Sequence, residues 1–252
     1  MRKFLQAMRY FRSFLALQHT DIILAAYPKS GSTWLRFMLC NVGSLLEWDG
    51  KKIDFEILNK TMIGLSGNLL KPWNFKRIPR VIVTHLRYLP VFNKCSSILL
   101  IRDPRDVMVV YFHYVKHLQG VKPFKGNFHE FIRHPKLGLK AWFKHYLSWK
   151  RHAGLMVTYE ALRKNTYKEL QKILHFLKVT CPENVIVEAI ARSSLSSIRK
   201  IEENKGLSGG KLTGIRFTDY SEEGIWHSWF DNSDLEYLRT FKEKYKIEIP
   251  YK

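Results

Sequence analysis

This sequence is short of acidic residues relative to basic ones, and it has little cysteine. Of its 252 residues, 22 are Asp or Glu against 42 Lys and Arg, a formal net charge of +20. So large a surplus favours anionic partners, whether an anionic nucleotide, an acidic acceptor, nucleic acid or an anionic membrane surface. Charge alone does not choose among them. Cys40, Cys95 and Cys181 are too few and too scattered for a disulfide framework or a zinc ribbon, and a reducing, cytoplasmic compartment is the expectation. No uncharged apolar run approaches the roughly 18 residues that span a bilayer. Internal repeats and clear linkers are also absent, so a 46% hydrophobic chain of this length is expected to bury one core of α/β size.

Residues 1–20 are expected to form a basic amphipathic helix and 21–252 a single domain. Phe4, Leu5, Met8, Phe11 and Leu15 share one helical face, with Arg2, Lys3, Arg9 and Arg12 nearby. The arginines interrupt any apolar region of the signal-peptide kind. Packing of this helix on its own domain is the expected arrangement, and peripheral contact with an anionic membrane the alternative.

What is there begins with Tyr27-Pro28-Lys29-Ser30-Gly31-Ser32-Thr33-Trp34, directly after the apolar run Ile22 to Ala26. A strand leads into a tight turn, and the turn opens a helix. Pro28 fixes its own φ and biases Tyr27 to an extended shape, while Gly31 lets the backbone approach a ligand. Hydroxyls at Ser30, Ser32 and Thr33 meet the free amides and positive dipole of a helix start, with Lys29 beside them, which is the composition of a phosphate loop. The nucleotide triphosphate motif GxxxxGK[ST] places its Lys after the last glycine. Here Lys29 comes before Gly31.

Further apolar runs read as strands of a parallel sheet, each stopping at polar residues. Arg80 to Thr84 ends at His85, Ser97 to Ile101 at Arg102, and Leu155 to Thr158 at Tyr159-Glu160. Ligands bind at such carboxyl ends in open α/β sheets, so Lys29, His85 and Arg102 are expected on one rim. Pro104 suits a first helical turn capped by Asp103, with Val107, Val110, Tyr111, Tyr114 and Leu118 in register behind it. Helices are also expected over residues 32–46, 183–203 and 233–246. The glycine-bearing stretch from Asn204 to Gly224 reads as a long loop of functional kind.

Four strand ends now carry motifs in an order that resembles the cytosolic-type sulfotransferases, which use 3′-phosphoadenosine 5′-phosphosulfate (PAPS) and release adenosine 3′,5′-bisphosphate (PAP). The resemblance runs from Ile22 to about Phe241. YPKSGSTW looks like that family's 5′-phosphosulfate loop, VTHL around His85 like its catalytic-histidine segment, and IRDPRDVMVVYFHY from Ile101 like its 3′-phosphate segment. VTYEALRKNTYKELQKILHFL from Val157 looks like the part that meets adenine. The resemblance implies a single-domain, doubly wound α/β fold with helices on both faces of a central parallel sheet. It also implies in-line sulfuryl transfer without a metal. His85 would then be the general base, and Lys29 would offset charge on the leaving phosphate oxygen. Ser30, Gly31, Ser32 and Thr33 would hold the 5′-phosphate and Arg102 the 3′-phosphate. Trp34 and Tyr159 would pack on adenine, with Ser193 and Leu195 near it.

Three departures stand out. Val110 replaces the family's serine eight residues after Arg102, Val83 replaces its lysine before Thr84-His85, and Asp219-Tyr220 stand where the basic pair of RKGxxGDWKNxF belongs, although Gly224, Trp226 and Phe230 match. Lys205, Lys211 and Arg216 are the candidates to supply the missing charge. The KTVPG dimer motif of many cytosolic members is absent, and the sequence does not assign an oligomeric state. The acceptor is expected to be a small molecule or a glycan, reached through loops at 49–77, 120–135 and 204–224. Two other classes compete. A kinase would bind ATP with magnesium, and a non-catalytic basic module would bind nucleic acid or membrane. The ordered strand-end residues argue against the second, and no specific nucleic-acid partner is expected.

Overall fold

The computed structural model describes residues 2–117, 123–205 and 218–246. Four parallel strands, β1 (Ile22–Ala26), β2 (Val81–Thr84), β3 (Ser96–Ile101) and β4 (Leu155–Thr158), lie in the order β2-β1-β3-β4. Ala25 pairs with Thr84 on one side and Leu99 on the other, and Ile101 pairs with Thr158, so all four carboxyl ends share one edge. The chain reverses its direction of winding between β1 and β3, the switch point where an open sheet leaves a crevice.

The helices follow as α1 (Arg2–Leu15), α2 (Ser32–Glu47), α3 (Phe55–Thr61), α4 (Pro104–His117), α5 (Phe128–Arg133) and α6 (Leu139–Lys150). Then come α7 (Tyr159–Lys164), α8 (Thr166–Phe176), α9 (Glu183–Arg192), α10 (Leu195–Lys205) and α11 (Asn232–Tyr245). Because successive strand side chains alternate, each strand feeds two cores. Ile22, Leu24, Ile98 and Leu100 pack with α2, α3, α7, α8 and α9, whereas Ile23, Ala25, Leu99 and Ile101 pack with α4, α5, α6 and α11. Strands buried on both faces read as continuous apolar runs, as β1, β2 and β3 do, whereas the edge strand β4 leaves Met156 exposed.

Two expectations need correcting. Residues 183–203 form two helices, broken at Ser193 and Ser194. The Ser193 carbonyl accepts the Trp34 indole N–H at 2.8 Å, its hydroxyl accepts Asn41 at 3.0 Å, and Ser194 Oγ accepts the Ser197 amide at 3.2 Å to start α10. Ser194 thereby caps the start of α10, a position where serine is favoured. Helix α1 does pack on the domain, but not through the expected face. Ser13 and Leu17 are buried, Tyr10 and Phe14 are partly buried in the core, and Phe14 meets Phe92 edge-on at 6.0 Å. Met8, Phe11 and Leu15 face outwards, at 46, 64 and 70% exposure.

Candidate active site

The loop after β1 is held by its own backbone. Lys29 and Gly31 take positive φ, 72° and 96°, and the Ser30 amide donates to the Tyr27 carbonyl at 3.2 Å. A Cβ at Gly31 would lie 2.5 Å from Tyr159 Cδ2, so only glycine fits under that ring. Gly31 begins α2, accepting the Trp34 and Leu35 amides at 3.0 and 3.2 Å. The amides of Gly31, Ser32 and Thr33 take no hydrogen bond among the described residues. Ser30 Oγ is fully buried and has no partner among the described residues, which is rare for a buried hydroxyl. Free donors, an orphan hydroxyl and a positive helix end form a cradle for an anion with several oxygen acceptors, so the loop fits a phosphate.

Lys29 lies with Nζ 3.3 Å from the Tyr114 ring centroid, a cation–π contact reaching across from α4. It makes no ion pair among the described residues. Burial disfavours its charge and pushes its pKa down to about 7. The amine is therefore partly neutral while it rests on the ring, and a nearby anion would restore its charge.

His85 follows β2, directly beside the loop. Its Nδ1 lies 2.7 Å from the Ala26 carbonyl, which can only accept, so the ring proton sits on Nδ1 and Nε2 carries the lone pair. The residue is exposed along part of its surface, while neighbouring protein atoms surround much of the ring. Poor solvation of its charged form lowers the pKa, opposed by the Ala26 bond, and the nearby Lys29 and Arg36 charges lower it further. The lowered pKa favours the neutral imidazole near pH 7, and Nε2 takes no hydrogen bond among the described residues. Behind it the Trp149 indole N–H donates to the Leu86 carbonyl at 2.9 Å, which ties α6 to the segment that carries the histidine.

Arg102 and Tyr159, at the ends of β3 and β4, meet on the other side of the loop. The Arg102 guanidinium lies 4.4 Å from the Tyr159 ring centroid, and Trp34 meets that ring at 5.6 Å and 65°. Arg102 is 3% exposed, and its Nη2 donates to the Tyr220 and Glu222 carbonyls at 3.2 and 2.7 Å. Its Nε is buried without a partner among the described residues. Tyr159 O–H donates to the Ser221 carbonyl at 2.5 Å. Asp106 accepts the Gly224 and Trp226 amides at 2.9 and 3.2 Å, so it is not spent on pairing with Arg102. Residues 220–226 are thus strapped across the ends of β3 and β4. Lys211, Arg216 and the Lys205 side chain lie outside the described residues.

The structure therefore gathers Lys29, Ser30, Gly31, Ser32, Thr33, Trp34, His85, Arg102 and Tyr159 along one sheet edge. Ser193 joins them through Trp34, with both its polar side-chain and carbonyl groups already bonded, and half-buried Leu195 opens α10 next to it. The contact of Tyr114 with Lys29 and the place of His145 are not visible in the sequence. Tyr114 is in the helical register of α4, but nothing local points to Lys29, 85 residues away. His145 lies on α6, its ring in edge contact with Tyr27 at 5.8 Å. Burial and then the neighbouring His85 push its pKa down to about 3. It reads locally as one aromatic position among several.

Comparison with known proteins gives a consistent result. The family model for the sulfotransferase domain matches residues 19–247. Sulfotransferase 1E1 of Cavia porcellus is 26% identical over 269 residues, covering 97% of this chain and 88% of that protein. Sulfotransferase 1B1 of Mus musculus is 32% identical over 200 residues, 71% of this chain and 66% of its own. Among solved structures, mouse sulfotransferase SULT7A1 complexed with PAP aligns over 96% of this chain and 90% of its own, with a TM-score of 0.70 at 23% identity. Retinol dehydratase in complex with androsterone and PAP aligns over 97% and 87%, with a TM-score of 0.73 at 19% identity. At those identities the two structures speak for the fold.

Proposed function

The chain belongs to the sulfotransferase domain family, and on that premise we propose that it transfers a sulfuryl group from PAPS to an acceptor hydroxyl or amine, releasing PAP. The observation that carries this reading is the meeting of an anion cradle with a neutral histidine. Lys29 and the loop lie at the end of β1, and His85 with its free Nε2 lies at the end of β2 next to it.

PAPS supplies an activated sulfuryl group on a phosphate leaving group. As the acceptor oxygen or nitrogen bonds to sulfur and the phosphate oxygen departs, the acceptor's proton needs a base. His85 Nε2 is our assignment for that base, since a general base works best with a pKa near the working pH. The Ala26 carbonyl fixes the tautomer and would accept a stronger bond from the imidazolium. Lys29 brings positive charge to the leaving oxygen, while the Ser30 hydroxyl and the Gly31, Ser32 and Thr33 donors hold the same phosphate. Trp34 and Tyr159 would border adenine, with Ser193 and Leu195 beside them.

Arg102 is our assignment for the 3′-phosphate. Its buried, unpartnered Nε speaks for that role, and its Nη2 bonds to residues 220 and 222 compete with it. Calorimetric titration of PAP and adenosine 5′-phosphate decides. Loss of a charge-assisted bond costs about 1.5–3 kcal/mol, so Arg102→Ala should weaken PAP by roughly one to two decades and hardly change the monophosphate. Equal weakening of both ligands would make Arg102 a structural strap.

A cytoplasmic location belongs to the same proposal, supported by three free thiols. No helix among the described residues is long and apolar enough to cross a membrane. The acceptor, a small molecule or a glycan, would enter from the exposed edge of His85.

A further inference from the structure

Helix α1 carries two apolar stripes, and the domain uses only one. Tyr10, Ser13, Phe14 and Leu17 recur at i, i+3, i+4 and i+7 and turn inwards, with Ser13 Oγ donating to the Gly67 carbonyl at 3.2 Å. Met8, Phe11 and Leu15, at i, i+3 and i+7, form the outer stripe. Leu70, 66% exposed, extends it, since Leu15 and Leu70 line one groove and Arg9, Arg12 and Leu70 line an adjoining one. Large apolar side chains exposed singly need no explanation, but four forming one patch mark an interaction surface.

We propose that the outer stripe of α1, together with Leu70, docks on an anionic lipid bilayer. The surrounding charge selects this occupant. Residues 7–20 and 66–80 contain no Asp or Glu. Arg80 is paired with Asp21 at 2.7 Å and Arg77 donates to the Thr180 carbonyl, but Arg9, Arg12, Lys71 and Lys76 take no ion pair among the described residues. Glu47, the acid that reaches this edge from α2, is held by the Lys76 and Arg77 amides at 2.6 and 2.9 Å. An apolar stripe flanked by unpaired cations matches an interfacial helix, whose side chains enter the acyl boundary while its cations meet headgroups. A second copy of this face would bring the four cations against their own kind with no acid to meet them.

The position agrees with a working enzyme. Arg80 and Asp21 immediately precede β2 and β1, so Leu15 and Leu70 lie by the amino ends of these strands, whereas Lys29 and His85 follow the carboxyl ends. Docking leaves the site open. It is also independent of the PAPS reading, because no residue of the patch belongs to the nucleotide cradle.

The test is co-sedimentation of the full chain with vesicles of phosphatidylcholine alone and of phosphatidylcholine with phosphatidylserine, across a salt series. A chain of charge +20 will touch anionic vesicles somewhere, so the deciding variant keeps every charge. Phe11→Ser with Leu15→Ser should lower partitioning onto the phosphatidylserine vesicles at least tenfold, as roughly two large apolar side chains no longer leave water. Arg9→Gln with Arg12→Gln and Lys71→Gln should lower it by about fivefold per charge at low salt. Both variants should keep wild-type PAP affinity, which reports an intact fold, and should the chain bind no PAP at all, an unchanged thermal midpoint serves instead. Wild-type partitioning by the serine variant overturns the proposal. So does a wild-type dimer that the serine variant splits while vesicle binding is absent, which would make the stripe a self-interface.

Discussion

Lys29 makes the affinity for PAP depend on pH in a way that can be worked from its surroundings. In the free enzyme burial lowers its pKa from the usual 10.5 to about 7, and no acid pairs with it among the described residues. Beside a phosphate dianion the charged form regains a partner, and its pKa returns towards the ordinary value. Binding therefore takes up a proton wherever the free amine is neutral, and affinity must fall as pH rises above 7. The protonated fraction of the free amine drops from about one half at pH 7 to about one hundredth at pH 9. Kd for PAP should rise about 50-fold over that range, roughly 2.3 kcal/mol. Little else titrates there, because a phosphate's second pKa is near 6, His85 is already neutral, and burial pushes Tyr114 and Tyr159 up. Calorimetry at pH 8 in two buffers of different ionisation enthalpy should report uptake of about 0.9 proton per PAP. Lys29→Met should bind more weakly at pH 7 and with a flat profile. A wild-type Kd that stays constant from pH 7 to 9, or the same slope in the Met variant, would refute the reasoning.

The remaining predictions concern neighbouring groups. His85→Ala should cost about 100 to 10,000-fold in turnover while PAP affinity changes little, since the base acts on the acceptor; near wild-type turnover would remove it from the chemistry. Gly31→Ala puts a methyl 2.5 Å from Tyr159 Cδ2 at φ 96°, so PAP binding should be lost and thermal unfolding should come several degrees earlier, for about 1–3 kcal/mol of strain. Binding and midpoint like the wild type would mean that the loop is looser than described. Trp149→Ala should destabilise the fold by about 3–5 kcal/mol, because it empties a fully buried site and frees the Leu86 carbonyl. A loss below about 1 kcal/mol would mean that the site collapses around the gap.

Much of the frame is legible in the sequence because parallel strands buried on both faces must be apolar throughout and must stop where the sheet meets its ligand edge. Ile22 to Ala26 and Ser97 to Ile101 announce themselves in that way, and so does the rim that carries Lys29, His85 and Arg102. What stays hidden is decided by partners distant in sequence. The break at Ser193 depends on the indole of Trp34, 159 residues away, and on Asn41. The face of α1 that packs inwards depends on Phe92 and Gly67, so hydrophobic periodicity alone, which offers two stripes, favours the wrong one. Tyr114 meets Lys29 only because β1 and β3 are neighbours. Arg102 reads as a phosphate ligand by its place after β3, and its bonds to the Tyr220 and Glu222 carbonyls emerge only from the strap across that strand end.

The central claim is that this chain moves a sulfuryl group from PAPS with His85 as base. The most direct measurement is turnover of radiolabelled PAPS over a broad panel of phenols, alcohols, amines and glycans in excess EDTA, with the wild type and His85→Ala side by side. The account predicts label on at least one acceptor with the wild type, PAP as the other product, and loss of that product formation in the variant. Transfer that requires ATP and magnesium, or an equal yield from His85→Ala, would contradict it.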